Sequence, residues 1–562
     1  MAKSTPSEQA DRIRSGYAFE GPAVDLGAAL TGGELRPEAQ VRLPLRMMNR
    51  HGLVAGATGT GKTVTLQVMA EQLSAAGVPV FLADIKGDLS GLAVPGSPTG
   101  KLLERTRAVG QDWVAQGFPV EFLALGGDGA GVPVRATVAS FGPLLLSRVM
   151  DLNETQESSL QLVFHYADQK DLELYDLKDL RAVISHLASA AGRPELEELG
   201  GLSKATAGVL LRELVNLEAQ GLAGFFGEPE FNTAELLRTA PDGRGVITCL
   251  ELPTLLQKPL LFSTFLMWLL ADLFAELPEV GDADRPRLVF FLDEAHLLFR
   301  GASKAFLEAV AATVRLIRSK GVGVFFVTQT PKDVPEEVLG QLANRIQHAL
   351  RAFTPDDARA LRATVSTFPV SDYDLAEALT TAGTGEAIVT VMNERGAPAP
   401  VAWTRMRSPV SRMGPAPAGT IRQVVAGSPL LAAYGTAVDR ASALEKLKGA
   451  APAPPRDRAP AQDLPGKPVG GGLPGSGQAQ DQAQAQAQAQ AQIDAEARRI
   501  EEDILGRPSS RPVPVPRDRS PRPEGGPDPL VERVLETAIE AAGAMGQELL
   551  RGMFQTRRRR RR

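Results

Sequence analysis

The sequence predicts an α/β fold with a mostly parallel sheet around one phosphate-binding loop, and three observations carry that reading. From His51 to about Arg407, apolar β-rich runs alternate with helical stretches, the pattern of strands crossed by helices. One run, His51–Ala55, leads directly into a glycine-rich loop that ends in Gly61-Lys62-Thr63. Another, Leu288–Leu292, delivers Asp293 and Glu294 at its carboxyl end, the edge at which open α/β sheets bind ligands.

The runs assigned to strands are His51–Ala55, Val78–Ala83, Val120–Leu125, Gly245–Leu250, Leu288–Leu292, Gly323–Val327 and Ala387–Met392. Residues 1–45 hold short strand-like pieces, such as Val41–Leu45, and read as a lead-in too small for a separate barrel. The core then runs through 46–140 and 231–410. It is interrupted at 141–230, where strand signals vanish and Thr206–Gln220 sets Leu210, Leu211, Leu214 and Leu217 at helical spacing. That segment is expected to be an inserted helical subdomain with a packing or lid role. Residues 411–450 extend the core. Residues 451–526, rich in Pro, Gly, Gln and Ala, lack the apolar periodicity that offsets ordering entropy and read as a disordered linker. An amphipathic helix with an arginine tail, Arg557–Arg562, is expected within 527–562. Its tip suits an acidic surface, nucleic-acid phosphate or anionic lipid.

Composition narrows the function classes. One cysteine, Cys249, leaves no disulfide partner and no thiolate cluster for zinc, and the five histidines are scattered rather than spaced as ligands. These features, with a polar N-terminus lacking a secretory apolar stretch, lead to the expectation of a cytoplasmic protein. The most apolar stretch, Leu260–Phe274, is broken by Ser263, Thr264 and Asp272 and reads as a buried helix rather than a membrane span. Residues 451–562 carry 18 basic and 15 acidic side chains against 43 and 51 in residues 1–450. An acidic body of net charge −8 beside a tail of +3 confines any nucleic-acid contact to a local surface.

Gly56-Ala57-Thr58-Gly59-Thr60-Gly61-Lys62-Thr63 matches G-x-x-x-x-G-K-[ST] in full between a strand and a helix. Glycines let backbone N–H groups curl around phosphates, and the helix N-terminus adds partial positive charge. Lys62 is assigned to the β- and γ-phosphates and the Thr63 hydroxyl to Mg²⁺. Asp293 is assigned to the same Mg²⁺ through water, and Glu294 to polarising the attacking water as general base. The core is thus of the RecA/ASCE P-loop type, with ATP and Mg²⁺ as expected cofactors. Gln329, at the tip of the Gly323–Val327 strand, is the expected γ-phosphate sensor. Asp84, in Asp84-Ile85-Lys86-Gly87-Asp88, either touches the nucleotide or forms a turn. Asp293-Glu294-Ala295-His296 is similar to a box of tandem-core helicases, but the chain has one phosphate loop and no second core of similar size.

The segments His51–Thr63, Asp84–Asp88, Asp293–His296, Val327–Pro331 and Asn344–Pro355, continuing to Asp439-Arg440-Ala441-Ser442-Ala443, resemble the HerA/FtsK-type ATPases. The likeness is strongest to the bacterial HerA-like helicase C-terminal domain (YjgR-like) proteins, and it spans about residues 40–450. The resemblance implies a hexameric ring that moves duplex DNA, with an arginine of one subunit completing the ATP site of the next. Arg318 is the first choice for that trans-acting arginine, with Arg315, Arg345 and Arg351 as alternatives. About 45 residues before the phosphate loop are too few for the N-terminal barrel of HerA proper, so the resemblance implies the ATPase and not a role in end resection. The competing expectation is an AAA-like motor that remodels a protein or membrane-associated partner.

Overall fold

The computed structural model describes residues 4–448 except 127–128, 198–199, 253–257, 282 and 301–303. The expected linker, amphipathic helix and Arg557–Arg562 lie outside the described residues.

Twelve strands form one mixed sheet in the order β2-β1-β12-β11-β10-β3-β9-β8-β4-β7-β5-β6. They are β1 (Ala23–Thr31), β2 (Glu34–Pro44), β3 (Gly52–Ala55), β4 (Val80–Asp84), β5 (Val120–Leu125), β6 (Val132–Val134), β7 (Ile247–Glu251), β8 (Leu288–Leu292), β9 (Val322–Thr328), β10 (Asn344–His348), β11 (Glu386–Thr390) and β12 (Ala402–Met406). From β10 to β6 every neighbouring pair is parallel. The central strands β3, β4, β8 and β9 are buried at every residue, as strands covered on both faces must be, and their apolar runs follow from that.

Parallel pairing puts the carboxyl ends of β3, β9, β8 and β4 on one edge. There β3 ends in the glycine-rich loop and β8 in Asp293, with β9 inserted between them. The strand between loop and acid pair is therefore the one that Gln329 follows.

All seven expected strands form, with ends shifted by up to two residues. Five others, β1, β2, β6, β10 and β12, were not assigned as strands, although the strand-like Val41–Leu45 falls at the end of β2. Residues 1–45 are more than a lead-in: after a helix over Pro6–Gly16, β1 and β2 form a hairpin through Gly32-Gly33, both at positive φ, as a two-residue hairpin turn requires. β1 then pairs antiparallel with β12, which continues through β11 to β10. A hairpin joined to strands nearly 400 positions away is invisible to local periodicity.

The 141–230 interval is helical as expected, with helices at Glu154–Gln169, Leu177–Ala188 and Lys204–Ala219. In the last of these Leu210, Leu214 and Leu217 are buried, while Leu211 lies at the margin. The helix Pro259–Glu276 has the length and apolar character to cross a membrane. Here Leu261 through Leu273 are all buried, and Trp268 packs against Phe225 and Phe265. Its polar Asp272 accepts a 2.6 Å hydrogen bond from the Thr233 hydroxyl, which meets the requirement that a buried polar group be paired.

The helix that follows the phosphate loop, Lys62–Ala75, is clasped from behind by residues 408–412. Glu71 accepts from the backbone N–H groups of Val410 and Ser411, both at 2.9 Å, and Gln67 donates to the carbonyl of Arg412 at 2.9 Å. Burial pushes the Glu71 carboxyl up to about 7 despite those donors. The segment after β12 is thus structural support for the phosphate loop.

Candidate functional site

The loop Gly56–Thr63 leaves β3 through residues that other side chains could not replace. Gly56, Gly59 and Gly61 lie at φ of 154°, 77° and 116°, outside the range that L side chains favour. A Cβ on Gly56 would come within 2.5 Å of the His348 Cβ. Thr58 and Gly59 form the exposed tip, while Thr60 and Lys62 are buried. The Lys62 ammonium donates to the loop's own carbonyls, to Gly56 O at 2.7 Å and Ala57 O at 3.2 Å. It therefore sits inside the curl that a phosphate would fill. Burial lowers its pKa, and the nearby charges of Glu294 and Asp293 oppose that shift.

Neighbouring strands hold the loop from beneath. Ala57 N donates to Ala349 O at 2.8 Å, beyond the end of β10, and Gly385 N donates to Thr60 O at 2.9 Å, just before β11. His348 links both supports. Its Nδ1 faces the Glu386 carbonyl at 2.9 Å and its Nε2 the Thr65 hydroxyl at 3.0 Å. A carbonyl only accepts, so Nδ1 carries the proton and Nε2 accepts from Thr65. Burial pulls the His348 pKa down to about 4 and keeps the ring neutral. Sequence reading passed over His348, because a scattered histidine carries no local signal of a contact made by β10.

A depressed histidine pKa has a definite linkage sign. The unfolded chain takes up this proton below about 6.5, whereas the folded chain resists until about 4. The stability contributed by neutral His348 is therefore present above about 6.5 and is lost as pH falls toward about 4. His348→Gln is expected to cost about 1–3 kcal/mol at pH 7.5 by leaving buried groups unpaired, and the melting-temperature gap to wild type should narrow between pH 6.5 and 4. A gap of constant size across that range would contradict the assignment.

The acid pair lies across β9. Asp293 is 3% exposed and its Oδ1 accepts from Glu294 N at 2.9 Å. Burial, followed by the charge of Glu294, pushes the Asp293 carboxyl up to about 6. Glu294 is 7% exposed and has φ of 48°, a left-handed conformation that non-glycine residues hold only when their surroundings over-determine it, as at functional sites. Its Oε1 accepts from Lys86 Nζ at 2.5 Å. Its Oε2 lies 3.3 Å from His296 Nδ1, but off the line of a hydrogen bond, so both atoms are buried without a hydrogen-bond partner.

Asp84 closes the turn that follows β4. Its Oδ1 accepts from Gly87 N at 2.8 Å and its Oδ2 from Leu89 N at 2.9 Å. With each oxygen already holding a backbone N–H, the carboxylate is committed to the loop that carries Lys86. Burial raises it to about 6 against those two bonds, with the charge of Asp293 adding to the rise.

Gln329 is exposed at the tip of β9. The turn beyond it is fixed by Asp333, which accepts from the Thr328 hydroxyl at 2.9 Å and from Thr330 N at 3.1 Å. Gln329 therefore follows the strand that lies between β3 and β8. Arg318 is exposed in a short turn just before β9, at the opposite edge of the sheet from Lys62, so it cannot serve the site of its own chain. Arg315 is exposed on the preceding helix, and Arg345 is half-buried within β10. Arg351, exposed beyond the end of β10, is the one of the four on the loop's own edge.

Hard oxygen donors suit Mg²⁺, and the Thr63 hydroxyl and Asp293 carboxylate are such donors, on the loop helix and at the tip of β8. With phosphates completing the shell, these residues fit the ion. The cradle fits a polyphosphate because its glycines leave backbone N–H groups open at the tip.

No curated protein matches the chain. Distant likenesses exist among solved structures. Plasmid coupling protein TrwB in complex with ADP and Mg²⁺ is 16% identical, with 70% of this chain and 97% of that chain covered and a TM-score of 0.45. TrwB with a non-hydrolysable ATP analogue is 17% identical, with 70% and 99% covered and a TM-score of 0.44. VirB4 of Thermoanaerobacter pseudethanolicus is 15% identical, with 71% and 98% covered and a TM-score of 0.40. The family model described as Helicase HerA-like C-terminal matches residues 31–476. That match takes in β2 to β12 and every residue of the site above, and the chain belongs to the HerA-like helicase C-terminal family of P-loop ATPases.

Proposed function

We propose that the chain is an ATP-hydrolysing, ring-forming motor that translocates on or unwinds DNA. The observation that carries the ATPase is the placement of a buried Lys62 in a glycine cradle across β9 from Asp293 and a strained, buried Glu294. Lys62 would exchange the carbonyls of Gly56 and Ala57 for phosphate oxygens. Thr63 and Asp293 would hold Mg²⁺, which supplies charge neutralisation on the phosphates. Glu294 would take a proton from the attacking water, and Gln329 would orient that water.

Ring assembly is supported by the family and by Arg318, which faces away from its own site and is free for a neighbour's. DNA as the track rests on the family. The net charge of −8 over residues 1–450 favours the second reading, a motor acting on a protein partner. A cytoplasmic location is in keeping with the single, buried Cys249.

ATP turnover measured alone and with duplex DNA, single-stranded DNA or RNA separates the readings. Stimulation by duplex DNA, weakening as salt rises, is expected. Turnover indifferent to every nucleic acid would move the assignment to a protein partner.

A further inference from the structure

We propose that Lys86 is a positioning residue for the general base: its ammonium pins Glu294 Oε1 and leaves Oε2 as the oxygen that accepts the proton of the attacking water. This rests on the ATPase reading above and assigns the Asp84–Asp88 turn a role within it.

Glu294 is fastened at its backbone, through its N–H to Asp293 Oδ1. Among the described residues its side chain has one hydrogen-bond partner, Lys86 at 2.5 Å. The 3.3 Å approach of His296 lacks hydrogen-bond geometry, so Oε2 is a buried oxygen without a hydrogen-bond partner. A carboxylate held at one oxygen has a defined plane and presents the other oxygen in a fixed direction. Without that hold it turns about its terminal torsion, which is broad and nearly unrestrained.

The bracket that carries Lys86 is itself rigid. Ala83 of β4 pairs with Leu292 of β8, so Asp84 and Asp293 emerge side by side. Asp84 closes the turn onto Gly87 N and Leu89 N, and Gly87 supplies the required φ of 74°. The backbone of Lys86 is thereby placed beside Glu294 by two adjacent strands. Burial lowers the Lys86 pKa, but the bond to Glu294 and the charges of Glu294, Asp293 and Asp88 outweigh it and raise the net value, so the ammonium stays charged.

Steady-state kinetics of Lys86→Met, Lys86→Arg, Glu294→Gln and the double variant Lys86→Met/Glu294→Gln test the role, with melting curves checking that each folds. Lys86→Met should lower kcat by ~10- to 100-fold, the scale on which misplacing a reacting group acts, with KM within about twofold of wild type. Lys86→Arg should recover part of the loss, and the double variant should be no slower than Glu294→Gln alone. Wild-type kcat in Lys86→Met, or losses that multiply in the double variant, would overturn the proposal. If the wild type turns over no ATP, the ATPase reading fails by itself, and acetylation of the nucleotide-free protein, read by mass spectrometry, decides the pairing. The Lys86 side chain is 47% exposed, so it should label faster in Glu294→Gln than in wild type; equal rates would refute the Lys86–Glu294 contact.

Discussion

Lys62→Ala is expected to abolish tight ATP binding. Lys62 is 8% exposed, and its ammonium already occupies the mouth of the loop between two carbonyls. When phosphate enters, the same charge has a stronger acceptor without moving far. Removing it leaves the polyphosphate charge facing Asp293 and Glu294 with Lys86 as the remaining nearby cation, and Lys86 is engaged with Glu294. Truncating one partner of a buried, hydrogen-bonded charge pair costs about 2–5 kcal/mol, a loss of affinity of roughly 30- to 5000-fold that calorimetry reads directly. The loop should persist without the lysine, because Ala57 and Thr60 are held by backbone bonds to Ala349 and Gly385. Unchanged nucleotide affinity would sink the phosphate-site assignment.

Glu294→Gln should separate binding from chemistry. The amide keeps the size of the carboxylate, so ATP affinity should stay near wild type. It has no basic oxygen able to take a proton from water, and turnover should fall by ~10²–10⁴, the contribution of a positioned general base. The expected signature is a stable ATP-bound state, seen as retained label after rapid filtration with little phosphate released. Near-normal turnover would place the base elsewhere.

Whatever is written in contiguous residues was legible without the fold. The phosphate loop is one eight-residue motif. The parallel core strands are apolar runs because both of their faces are covered, and Asp293-Glu294 follows such a run directly. The helical interval and the buried Leu260–Phe274 helix were legible for the same reason, since periodicity and length are local properties. Only the tertiary structure decided what depends on strand order. β1, β2 and β12 meet across nearly the whole core, and no local pattern records a pairing over that separation. His348 supports the phosphate loop because β10 pairs with β3, a neighbour relation that no spacing in the chain records. Asp84 was recognised as a motif member, but whether its carboxylate faced nucleotide or backbone depended on the path of the next five residues. Lys86 meets Glu294, 208 positions away, because β4 and β8 are adjacent and parallel. An arginine that serves a neighbouring subunit leaves no mark within one chain beyond exposure, which Arg315, Arg318 and Arg351 share. Local physics wrote the chemistry into the motifs, and sheet topology, which brings distant strand ends to one edge, decided which side chains hold that chemistry in place.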